Sequence, residues 1–262
     1  MPLNKSQFKQ YSAILHKDMN ILVYGNRKAF PILVIPSQDG VAFDYENFNM
    51  VSSIRKYIDE NIIQLFCIDT IDQISFSNIN DSVENRIRNQ IKYLKYVMDE
   101  VIPFIRKINT TKCRILLTGC SLGGYHSANF FFSYPDIFEG FISLSGIFDA
   151  RLLLNSQPNI DVDNNSPIHI LANADEKTLN KYRDRSIYCC VGRGRWEEEG
   201  LQTLPVLEKL LCEKNIPHFA DYWGYDVDHD WGWWQKQIVY FLPMALKDIK
   251  KHYPKIIKQE ID

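Results

Sequence analysis

From Ile21 onward the chain returns repeatedly to short apolar runs that stop at a small or turn-forming residue. They are ILVYG (Ile21 to Gly25), PILVIPS (Pro31 to Ser37), IQLFCID (Ile63 to Asp69), CRILLTG (Cys113 to Gly119), GFISLSG (Gly140 to Gly146), SIYCCVG (Ser186 to Gly192) and HFADYWG (His218 to Gly224). Runs of this length rich in β-branched and aromatic residues predict strands. Most are apolar throughout rather than alternating, the mark of strands covered on both faces, as in a parallel sheet. Between them, Asn47 to Glu60, Asp81 to Ile108, Leu122 to Tyr134, Glu197 to Lys214 and Trp231 to His252 fit helices. In the longest of these, Ile87, Ile91, Leu94, Met98 and Val101 recur at three and four residues and make one apolar stripe. Asp81 or Ser82 is its N-cap, and Pro103 predicts a kink or an end. The alternation is βαβ. Only Ile21 to Ser37 departs from it: the connection NRKAF is too short for a crossover helix, which predicts an antiparallel pair. A mostly parallel central sheet with antiparallel N-terminal strands and helices on both faces follows. Residues 150–185 are the least regular, and an insertion after the C-terminal end of a strand is either a lid or a connection.

Composition narrows the function classes. The chain has 262 residues, of which 45% are hydrophobic and 24% charged, and it reads as one α/β domain over residues 1–262. Thirty basic and 32 acidic residues leave a net charge of −2, so no global field draws it to nucleic acid or to an anionic membrane. No apolar run reaches the ~18 residues of a membrane span, and polar residues interrupt the start MPLNKSQFKQYSAILHKD. Five of the six cysteines (Cys67, Cys113, Cys120, Cys189 and Cys190) lie in or at the end of strand-like runs, and no CxxC pair exists. These features predict a cytoplasmic protein with reduced thiols, no metal and no redox motif.

The candidate chemistry starts at Gly119-Cys120-Ser121-Leu122-Gly123. This is G-x-S-x-G placed directly after an apolar strand and before a helix, where the glycines permit a sharp turn that lifts the serine hydroxyl above the sheet edge. A serine needs a base, and the base an orienting carboxylate. Of the six histidines, His229 lies in GYDVDHDWGWW between the last strand and the last helix, where the chain order Ser, acid, His places the base. Its neighbours Asp226, Asp228 and Asp230 would raise its proton affinity if close, whereas a base must rest neutral. The acid is therefore expected elsewhere. RGRWEEEG offers Glu197 first, with Glu198 and Glu199 as alternatives suited to a helix N-terminus; Asp149, after another strand, competes. The oxyanion donors would be the backbone N–H groups of Leu122 and of Gln38, the latter in the turn PSQDG.

With these residues in order, the chain resembles the α/β-hydrolase superfamily and, within it, the "putative esterase" branch related to esterase D and enterochelin-esterase-like proteins. GCSLGGYHSANFFFSYPDIFEGFISLSG, YCCVGRGRWEEEG and YWGYDVDHDWGWW carry the resemblance over nearly the whole chain. It implies the α/β-hydrolase fold and a cofactor-free carboxylic-ester hydrolase with Ser121 as nucleophile, His229 as base and an acid after Gly192. Relatives commonly place an aspartate soon after that glycine; here the first carboxylate is Glu197. The expected partner is a small-molecule ester; the oligomeric state is left open, with a homodimer as the candidate assembly. Two other readings share the sequence: a non-catalytic binding or scaffold protein that keeps the fold, and an acyltransferase using the same three residues. Trp223, Trp231, Trp233 and Trp234 are expected in the core or in a pocket, and Arg193 and Arg195 either in solvent or at an acidic leaving group.

Overall fold

In a computed structural model, which describes residues 3–261, eight strands form one sheet: β1 (Lys5–Ser12), β2 (Lys17–Tyr24), β3 (Phe30–Ile35), β4 (Ile63–Ile68), β5 (Ile115–Cys120), β6 (Phe138–Leu144), β7 (Ser186–Val191) and β8 (Phe219–Tyr222). Their order is β1-β2-β4-β3-β5-β6-β7-β8. From β4 to β8 every pairing is parallel, while β2 is antiparallel to both β1 and β4. The apolar runs are two-sided for a visible reason. Leu33 and Ile35 of β3 enter one core with Ile115 and Leu117 of β5, whereas Ile32, Val34 and Leu116 enter the core on the opposite face.

Two expectations need correction, and one strand was not anticipated. Ile21 to Ser37 does not form an antiparallel pair: β2 and β3 run in opposite directions but β4 lies between them. NRKAF has only to cross two strand spacings, about 10 Å, which five residues span easily. β3, whose six residues are all buried, gains parallel partners on both edges this way. β1 went unpredicted because KSQFKQYS is an edge strand with little buried surface, and its Lys5 and Lys9 guard an open edge as charged edge residues commonly do. Pro103 does not end its helix. A π segment at Val97–Val101 follows the helix Val83–Tyr96 and lets a last segment, Ile102–Ile108, begin with Pro103 in its first turn, where a missing N–H costs least. The N-cap is Ser82, whose Oγ accepts from Asn85 N–H.

The helix Leu122–Ser133 is buried on almost every side, in keeping with a sequence, LGGYHSANFFFS, that has no polar stripe. Its approach to β3 needs glycine. A Cβ on Gly123 would sit 2.4 Å from the carbonyl oxygens of both Ile35 and Pro36, and one on Gly119 would sit 2.4 Å from Gly123. Because the obstacle is backbone, Gly123→Ala is expected to cost about 3 kcal/mol, the upper end for overpacking, as read from the urea midpoint. Residues 150–185 form four short helices, Ala150–Leu154, Ile160–Asp163, Pro167–Ala172 and Glu176–Tyr182. Arg86 anchors the first of them, donating to the carbonyls of Leu153 and Leu154.

Candidate active site

β5 ends at Cys120, and the chain turns into the helix within one residue. Ser121 takes φ 56° and ψ −125°, a conformation that L residues avoid and that persists only where the surroundings enforce it. The Ser121 N–H donates to Leu144 C=O at 2.8 Å, and its carbonyl accepts from Gly124 and Tyr125 N–H. The turn is therefore fastened at both ends, with the side chain left on a cleft of about 340 Å³. Among the described residues the cleft is lined by Gln38, Ser77, Ser121, Leu122, Glu199 and His229, together with the apolar side chains Phe76, Ile79, Ile147, Leu152, Leu153 and Trp196. Leu152 and Leu153 come from the first helix of the 150–185 segment, which thus forms one wall.

His229 and Glu197 meet. Nδ1 of His229 lies 3.2 Å from Oε2 of Glu197, whose side chain is fully buried while the imidazole is 19% exposed. Burying a carboxylate is expensive unless its oxygens are satisfied. Both are: Ser145 Oγ donates to Oε1 at 2.7 Å, and Trp234 Nε1–H in turn donates to Ser145 Oγ at 3.0 Å. The Trp234 ring also stands at 82–83° to the rings of Trp231 and His229, each 5.0 Å away. Glu197 occupies the N-cap position of the helix Glu198–Glu213, yet its side chain makes no capping bond and reaches inward instead.

The two loops that carry acid and base are zipped together, which explains why the longer approach from Gly192 still delivers a carboxylate. Arg193 N–H donates to Gly224 C=O, Gly194 N–H to Val227 C=O and His229 N–H to Arg195 C=O, at 2.9–3.1 Å. Arg195 grips Asp228 with its backbone N–H and its guanidinium, at 2.6–2.9 Å. Trp196, at φ 64°, reverses the chain just before Glu197.

The competing carboxylates are occupied elsewhere. Asp149 caps the helix Ala150–Leu154 through Arg151 N–H and accepts from Ser166 Oγ. Glu198 and Glu199 form the first turn of their helix, and Glu199 reaches the rim of the cleft. Of the aspartates flanking His229, Asp230 caps the last helix through Trp233 N–H. The hydrogen bonds from Arg195 hold the Asp228 carboxyl below the usual carboxylate range.

Leu122 N–H and Gln38 N–H donate to no other group among the described residues. Gln38 sits in a loop shaped by Asp39 at φ 57°. Gly40 is required there for close approach rather than for φ, since a Cβ on it would lie 2.7 Å from Pro36 Cβ. None of Trp223, Trp231, Trp233 and Trp234 lines the cleft; Trp196 does. Arg193 lies over Tyr222 and Tyr225, so neither it nor Arg195 reaches the lining. Ser145 escaped the sequence reading, as did the role of Trp234 beside it. The available signal was SLSG, a small polar residue in a tight turn just after an apolar strand.

Ser145→Ala would leave Oε1 of Glu197 and the Trp234 N–H without partners. It is expected to cost about 1–3 kcal/mol of stability in urea unfolding and to lower kcat by less than loss of Glu197 itself.

A family model described as "Putative esterase" matches residues 12–244. No curated protein sequence matches the chain. Among solved structures it is similar to a ferulic acid esterase (TM-score 0.74, 14% identity, 95% of this chain and 100% of the other). It is similar to an S-formylglutathione hydrolase from Agrobacterium tumefaciens (TM-score 0.74, 13% identity, 95% and 98%). It is also similar to the S-formylglutathione hydrolase FrmB from Staphylococcus aureus (TM-score 0.67, 17% identity, 94% and 97%). At these identities the likeness is one of fold, the α/β-hydrolase fold.

Proposed function

Because the chain belongs to the "Putative esterase" family and is a carboxylic-ester hydrolase, we propose that it acts through Ser121, His229 and Glu197 by way of an acyl-enzyme. The observation that carries this reading is the contact of buried Glu197 with His229, which opens on the same cleft as the strained Ser121.

Glu197 accepts from Nδ1–H of His229 and leaves Nε2 as the acceptor. His229 Nε2 removes the proton from Ser121 Oγ as that oxygen bonds to the ester carbonyl carbon. The carbonyl oxygen becomes the oxyanion and receives the N–H groups of Leu122 and Gln38. His229 then gives its proton to the departing alkoxide, and the alcohol leaves. Water repeats the sequence on the acyl-serine, releasing the acid and restoring Ser121. Burial pushes the adjacent Cys120 thiol well up, so the thiolate does not compete as nucleophile.

Among the described residues the cleft has no Lys or Arg in its lining and one carboxylate, Glu199, at its rim. That charge pattern favours uncharged esters with an apolar acyl group over anionic ones. The free thiols, five of them buried, support a reducing, cytoplasmic setting.

An acyl-enzyme predicts a common product ratio. With methanol present, the phenyl and p-nitrophenyl esters of one acid should give the same proportion of methyl ester to free acid. A ratio that depends on the leaving group would contradict a shared intermediate.

A further inference from the structure

A second buried acid–histidine pair lies outside the three proposed catalytic residues. His126, on the helix that begins at Leu122, and Asp72, in the segment following β4, are both fully buried, with Nε2 of His126 3.1 Å from Oδ1 of Asp72. The rings of Phe76, Tyr93, Tyr125 and Phe130 surround the imidazole at 5.2–5.9 Å. Neither residue lines the cleft, so neither reaches a substrate. The Gln90 side-chain amide donates to Nδ1 at 3.4 Å, which leaves Nε2–H to donate to Asp72.

The other oxygen of Asp72 explains the expense of burying this pair. Oδ2 accepts from Asp39 N–H at 3.3 Å, the peptide next to Gln38. The same segment holds the rest of that loop. Gln73 Nε2 donates to Asp39 C=O at 3.2 Å, Thr70 donates to Gly40 C=O through both N–H and Oγ1, and Gln38 Nε2 donates to Ser77 Oγ at 2.9 Å. Asp72 C=O accepts from Ser75 and Ser77 N–H, each at 2.9 Å, which stiffens the segment. His126 is four residues after Leu122 and so on the same helical face.

We propose that Asp72 and His126 are positioning residues that clamp the Gln38 loop to the Leu122 helix and fix the spacing of the two oxyanion-binding amides. The proposal rests on the reading of Ser121 as nucleophile and of those amides as its oxyanion donors. Donors aimed at an oxyanion act in the transition state and little in the ground state, and an ångström of misplacement is costly. Loss of the clamp therefore lowers kcat and spares KM.

The test uses the full chain with a neutral p-nitrophenyl ester. His126→Met removes the donor to Asp72 at similar volume, whereas His126→Gln can keep it. Asp72→Asn retains one of two acceptors. The expected result is a fall in kcat of about 10- to 100-fold for His126→Met and Asp72→Asn, below the effect of deleting an oxyanion donor outright. KM should stay within about twofold of the parent. His126→Gln should recover most of kcat. Affinity for a trifluoromethyl ketone of the same acyl group should fall in parallel with kcat/KM, because that adduct carries the oxyanion.

Parental kcat in folded His126→Met, or a loss that falls on KM alone, would overturn the proposal. Should His126→Met not fold, exposed Gln73 decides: Gln73→Ala should lower kcat a few-fold at constant KM, and parental kcat there would contradict the clamp. A Ser121→Ala control that still turned over would instead overturn the underlying reading, so the two failures are distinguishable.

Discussion

Ser121→Ala is expected to lower kcat for ester hydrolysis roughly a millionfold, to the residual rate that binding and oxyanion donors supply without a nucleophile. KM should be little changed, because the cleft walls and both amides remain. Stability should also hold. The strain at φ 56° belongs to the backbone, alanine has the same Cβ, and no hydrogen bond to another described residue depends on the Ser121 hydroxyl. A loss of activity that comes with a lowered urea midpoint would point to the turn rather than to chemistry. Steady-state kinetics beside equilibrium unfolding separates the two.

The second large effect falls on the pair behind the serine. His229→Ala should match Ser121→Ala, again roughly a millionfold, since a serine without its base is as inert as no serine. Glu197→Gln should cost about ten-thousandfold, as a misassigned tautomer does in such pairs. An amide can present N–H toward Nδ1 and so leave Nε2 protonated, unable to accept. Glu197→Asp is informative beside it. The shorter side chain keeps the charge but draws back from His229, already 3.2 Å away, so it should lie between the parent and Glu197→Gln. Asp149→Asn should leave kcat near the parental value, because Asp149 serves a helix N-terminus.

How much of this was legible in the residues depends on whether the cause was local. The elbow was legible because strand, glycine, serine and helix are contiguous, and the close approach at Gly123 follows from a 2.4 Å contact that only glycine avoids. The position of His229 on the cleft was legible from its place after the last strand. The ranking of Glu197 over Asp149 rested on chain order, and the geometry behind it is non-local: it needs the Arg193 to Trp196 loop laid against the Gly224 to His229 loop. Ser145 and the role of Trp234 were missed for the same reason, as partners 89 residues apart. The swapped order of β3 and β4 was not legible because a five-residue connection fits a hairpin and a skipped strand alike. The edge strand β1 was not legible because a half-solvated edge needs no apolar code.

The central claim is that Ser121 is a nucleophile activated in the folded protein, and covalent labelling reads it most directly. Folded protein treated with a fluorophosphonate probe, digested and mapped by mass spectrometry, should carry one adduct, on Ser121, formed at a much lower rate in His229→Ala. Labelling on another residue, or none in folded protein that hydrolyses esters, would contradict the account.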